Sequence, residues 1–104
     1  MAKVTRRWTS DAITTITGTS SPYTIGTAVY TLLCNCTTAI TVNLPAASTF
    51  SGWVFNIKKI DSSSNNVTVV PSGTDKIDGD PSAIVSSQWT NMQFQSDGTN
   101  WYIL

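Results

Sequence analysis

The chain has 104 residues, one domain's worth, with six basic and six acidic side chains and a formal net charge of zero. Thr (17), Ile (9) and Val (8) make up a third of it; all three are stiff at χ1 and suit a pleated surface, which excludes a helical bundle or coiled coil. It contains no His and no Glu, so the commonest general base and metal ligand is missing and most enzyme mechanisms go with it.

In chain order, residues 1–11 hold Lys3, Arg6, Arg7 and Asp11. They read as a basic, extended N-terminal arm before a mildly acidic β domain, residues 12–104. Trp8 beside Arg6 and Arg7 adds the residue types that most often anchor interfaces. Short β-type runs follow, divided by turn residues. Ala12–Thr17 is the first, and Ser20-Ser21-Pro22 is a turn. Tyr23–Cys34 reads as one long strand with a bulge or a bend at Gly26. Thr38–Leu44 puts Ile40, Val42 and Leu44 on one face, and Pro45 stops it.

Residues 46–52 form a loop or a single helical turn. Trp53–Ile60 turns Trp53, Phe55 and Ile57 one way, and the DSSSNN run of 61–66 is a turn. Val67–Val70 is a strand, Ile77 a short bridge, and Ala83–Val85 a further strand. Trp89–Gln95 turns Met92 and Phe94 inward. Asp97-Gly98 then makes a hairpin turn with both residues at positive φ, leading into Asn100–Leu104. Seven or eight short strands at this spacing, with no helices between them, predict an all-β, single-domain antiparallel β-sandwich or jelly-roll-like fold. A parallel α/β sheet is excluded on the same ground.

Candidate chemistry is sparse. Asp75, Asp78 and Asp80 share one loop but lack the ligand ladder of a calcium site, so they read as turn residues. Cys34 and Cys36 read as buried free thiols, since a bond between alternate strand residues is strained and zinc would need ligands the chain lacks. The many Ser and Thr have no base to activate them. Balanced charge without a basic stripe argues against nucleic acid, and no window approaches a membrane span. The expectation is no catalytic residue, no cofactor and no metal. Trp53 and Trp101 read as core, whereas Trp89 is a candidate for contact with a glycan or a subunit interface.

One set of motifs is collectively suggestive. It comprises Val42-Asn43-Leu44-Pro45-Ala46-Ala47, Gly52, Ile57-Lys58-Lys59-Ile60-Asp61 and Asn66-Val67-Thr68-Val69. It continues through Pro71-Ser72-Gly73, Ile77-Asp78-Gly79 and Ser96-Asp97-Gly98-Thr99-Asn100-Trp101-Tyr102-Ile103-Leu104. In that order, over about three-fifths of the chain, it resembles a β module of bacteriophage tail fibres and capsid-associated proteins. The resemblance implies a structural domain in a virion, commonly trimeric, with no catalytic residues to carry over. In a chain this short, with a basic arm in front, it implies a capsid decoration (cement) protein. Homotrimers would then bind the outer surface of the major capsid protein through arm residues Lys3, Arg6, Arg7 and Trp8. The alternative is a tail-fibre or receptor-binding tip that recognises a host surface glycan through Trp89 or the loop tips. Either way the expected site of assembly is the host cytoplasm, with no membrane or nucleic-acid partner. The Lys58-Lys59 pair is expected at a strand end, where Lys discourages edge pairing.

Overall fold

The computed structural model describes residues 13–104, so the arm residues Lys3, Arg6, Arg7 and Trp8 lie outside the described part. Nine strands form within it: β1 (Ile13–Thr17), β2 (Tyr23–Thr24), β3 (Thr31–Asn35), β4 (Ile40–Asn43), β5 (Val54–Lys59), β6 (Val67–Val70), β7 (Ala83–Val85), β8 (Asn91–Ser96) and β9 (Trp101–Ile103). The described residues contain no α-helix, only a short 3-10 turn at Gly18–Ser20. All-β is therefore the class.

The strands make two sheets, ordered β1-β3-β5-β8-β9 and β2-β4-β6-β7. From β1 to β6 the chain alternates between them, so each strand lies beside the one two earlier in sequence. Those neighbours run parallel: β1 with β3, β3 with β5, β2 with β4, and β4 with β6. The remaining pairs, β5–β8, β6–β7 and β8–β9, are antiparallel. The sheets are thus mixed, which corrects the expectation of an antiparallel fold. A parallel pair needs a long crossover, usually a helix. Here the crossover is a strand of the other sheet, and a coil of that kind leaves no helical signal in the sequence.

The same alternation divides the expected long strand of residues 23–34. It contains β2 in one sheet and β3 in the other, with a turn between them in which the Val29 N–H donates to the Gly26 carbonyl at 3.4 Å. Gly26 opens the bend by which the chain changes sheet, the second of the two readings at that position. Gly18 is needed for a different reason. A Cβ there would lie 2.1 Å from Thr38 Oγ1 and 2.6 Å from the Thr38 backbone nitrogen, so only glycine lets the end of β1 pass the turn before β4.

Burial alternates residue by residue in β3, β4 and β6. Each coil therefore hides one face and leaves mostly Thr and Asn, with Leu33 and Val70, half-buried on the other. The buried faces of both sheets join one core, with Ile16, Leu32, Phe55, Ile57 and Phe94 from the first and Ile40, Val42, Val67, Val69 and Val85 from the second. Trp101, fully buried, closes it beside Phe55 with ring centroids 5.7 Å apart. Its indole N–H donates to the Pro45 carbonyl at 3.1 Å. The 46–52 loop is pinned on both sides. Ala47 N–H donates to Asp75 Oδ2 at 2.9 Å, and Ser96 Oγ–H donates to the Ala47 carbonyl at 2.7 Å. The Leu44-Pro45-Ala46-Ala47 run and the Ser96–Trp101 run are far apart in sequence but serve one junction.

Candidate functional site

The polar side chains capable of chemistry are mostly committed to the backbone. Asp97 Oδ1 accepts the N–H groups of Thr99 and Asn100, both at 2.9 Å. Those backbone bonds, with a hydrogen bond from Tyr102, hold its carboxyl below the usual range. At this turn only Gly98 has positive φ, so the expected left-handed Asp97 is corrected. Asp75 is engaged by Ala47 as above, and Asp78 Oδ1 accepts the Ile103 N–H at 3.2 Å. Among the described residues no group of His, Cys, Asp or Glu is arranged to hold a metal ion, and no helix is long and apolar enough to cross a membrane.

One cluster of ionisable groups is buried. Lys59, at the end of β5, is 0% exposed and donates to Asp61 Oδ2 at 2.8 Å and to Ser63 Oγ at 3.2 Å. This corrects the reading of Lys58-Lys59 as an edge guard: β5 is the central strand of its sheet, and strand alternation sends the Lys59 side chain inward beyond Phe55 and Ile57. Asp61 also accepts the Cys36 N–H at 2.7 Å and the Ser63 N–H at 3.0 Å, and the Ser63 hydroxyl bonds to the same carboxylate. Burial alone would raise the Asp61 carboxyl; the hydrogen bonds from Lys59, Ser63 and the two backbone N–H groups reverse this and hold it well below the usual range.

Cys34 and Cys36 are both free and buried beside this pair. Burial, reinforced by the neighbouring Cys36 and Asp61, pushes the Cys34 thiol up to about 12 despite Lys59. Burial likewise raises Cys36. Thiols in this state are poor nucleophiles, so the cluster holds the strand end together without reactive character.

On the surface, Trp89 stands apart. It is 60% exposed and adopts φ of +70°. The strand expected from Trp89 begins only at Asn91, because residues 87–90 make a tight turn in which Thr90 N–H donates to the Ser87 carbonyl at 3.1 Å. Trp89 N–H then donates to the Lys59 carbonyl at 2.7 Å, while Lys59 N–H donates to the Thr90 carbonyl at 3.1 Å. Two residues thus oppose one, a bulge of the kind whose first position is normally a left-handed glycine. Occupying that conformation with a side chain costs about 1–2 kcal/mol. The sequence marks Trp89 as an uncommitted aromatic; its backbone outlier carries no sequence signal.

Among the described residues the other large exposed apolar ones are Ile13, Ile84, Tyr102 and Leu104. Ile13 lies on β1, Ile84 on β7 and Tyr102 on β9, all edge strands, and Leu104 follows β9 directly. Comparison with protein-family models, curated proteins and solved structures finds no match to this chain.

Proposed function

We propose that this chain is a structural protein of a bacteriophage particle, a capsid decoration protein that works by covering surface and catalyses no reaction. In this reading the two sheets are the layers of a β-sandwich, three copies associate, and the arm residues Lys3, Arg6, Arg7 and Trp8 engage the outer face of the major capsid protein. The observation that carries the assembly part is the placement of Ile13, Ile84, Tyr102 and Leu104 on or beside edge strands. The outer edge of β9 is bridged by residues 76–78 of the same chain, but β1 and β7 carry Ile13 and Ile84 on edges that a chain functioning alone protects with charge or proline; apolar side chains there suit contact with further copies. The resemblance of the ordered motifs to virion β modules supports the setting. Binding by three arms at once would gain from effective concentration even if each is weak.

Sedimentation of the full chain is expected to give a trimer, and a combined Ile13→Lys, Ile84→Lys and Leu104→Lys variant a folded monomer. Deleting residues 1–11 should leave the trimer intact and abolish its co-sedimentation with capsids. A monomeric parent protein, or a truncated one that still binds capsids, overturns the respective half of the proposal.

A further inference from the structure

We propose that Trp89 and the polar, largely uncharged surface around it form a contact site for a neutral, hydroxyl-rich sugar. This does not rest on the capsid reading, because the residues concerned are separate from the arm and from the edge-strand apolar residues.

Two unfavourable features coincide at residue 89: a left-handed backbone where glycine is the usual occupant, and a large indole left mostly in water. A backbone outlier of this kind points toward function when the fold offers no other reason for it. The fold here would be served by glycine. The turn is also held from outside its own strand, since the Gln88 side-chain amide donates to the Ile60 carbonyl at 3.2 Å and Trp89 N–H is bound to Lys59. The indole is therefore presented from a fixed base.

The surroundings select the ligand. Ser86, Ser87, Gln88, Thr90 and Asn91 are all exposed, and residues 81–96 contain no charged side chain. The β5–β8 register brings one cation alongside, Lys58 opposite Asn91, and an ammonium group donates to hydroxyl oxygens as readily as to anions. A protein interface would set the indole among other apolar side chains with a polar rim, whereas the other exposed large apolar residues of the described part lie on edge strands or directly after one. An exposed indole whose chain neighbours carry exposed hydroxyl and amide groups suits a pyranose, whose C–H face stacks on an aromatic ring while its hydroxyls find donors and acceptors nearby. The surface is open and carries one stacking residue, so affinity should be modest, with Kd on the order of 1 mM per site.

The test is affinity electrophoresis of the full chain through native gels containing a neutral glucan, mannan or galactan, with alginate as the acidic counterpart. Retardation is expected in at least one neutral gel, with binding at least tenfold weaker for Trp89→Ala and Trp89→Gly and kept within tenfold for Trp89→Phe. The Gly variant should unfold at no lower denaturant concentration than the parent, which separates lost contact from lost folding. The proposal is overturned by mobility unchanged in all neutral gels or by retardation in alginate alone. Undiminished binding by the Gly variant, or a Phe variant no better than Ala, also overturns it. So does self-association that disappears with Trp89, which would assign the residue to a protein interface.

Discussion

Lys59 and Trp89 face each other across the β5–β8 pair, joined by the hydrogen bond between the Trp89 N–H and the Lys59 carbonyl. Their burial is the reverse of what their side chains prefer. The lysine is 0% exposed and the tryptophan 60%. Residue type is a statement about average cost, and both positions show the average being overridden, for opposite reasons. At Lys59, strand alternation forces the side chain inward, and Asp61 and Ser63 supply the partners that make a buried ammonium tolerable. At Trp89 nothing in the core requires the exposed indole, and the backbone would favour glycine. The first inversion is compensated within the fold. The second is not, and that difference separates a structural oddity from a candidate contact.

The largest expected effect comes from breaking the compensation. Asp61→Ala leaves the Lys59 ammonium buried without its carboxylate and strips the acceptor from the Cys36 and Ser63 N–H groups, so it should cost about 3–5 kcal/mol in urea unfolding. Lys59→Met should cost less, because the Asp61 side chain is 16% exposed and can turn to water whereas Lys59 cannot. Equal losses for the two variants would show that the pair is not asymmetric in this way.

Next is the alkaline limb. Cys34 titrates near 9.0 when unfolded and at about 12 in the fold. Its contribution is fully present below pH 9 and is lost as pH rises through that window, at a slope of about 1.4 kcal/mol per pH unit. Cys34→Val should flatten this limb. The acid side has the opposite sign: Asp61, held low in the fold, contributes fully above the ordinary carboxylate range, and its contribution is lost as pH falls below about 4. An Asp61→Asn variant whose acid limb matches the parent's would contradict that assignment.

The smallest effect has the most diagnostic sign. Trp89→Gly should stabilise the protein by about 1 kcal/mol by relieving the left-handed backbone. A destabilised Gly variant would mean that the indole supports the fold after all, and the contrast with Lys59 would collapse.

Much of the local pattern was legible without the structure. Ile40, Val42 and Leu44 alternate into the core as their spacing predicts, β6 and β7 fall on Val67–Val70 and Ala83–Val85, and Ile77 makes the isolated bridges expected of it. Trp101 is core, and Cys34 and Cys36 are buried free thiols. Trp89 was visible as the aromatic without an obvious partner. The misplaced elements share a cause. Residues 23–34 look like one strand because both parts have the same local composition, and Lys59 looks like an edge guard because its type is read without knowing that β5 is central.

What the chain by itself determined is where it extends, where it turns and which alternate residues are apolar, since these depend on side-chain size and φ preference over a few neighbours. Which sheet each strand joins, and whether its neighbour runs parallel, was decided only in three dimensions. Those choices depend on closing loops between distant segments and on how the Pro45–Ala47 loop meets Asp75, Ser96 and Trp101. The same holds for the two inverted residues: burial of a charge and exposure of an indole are properties of a place in the assembled fold, and no local pattern encodes the place.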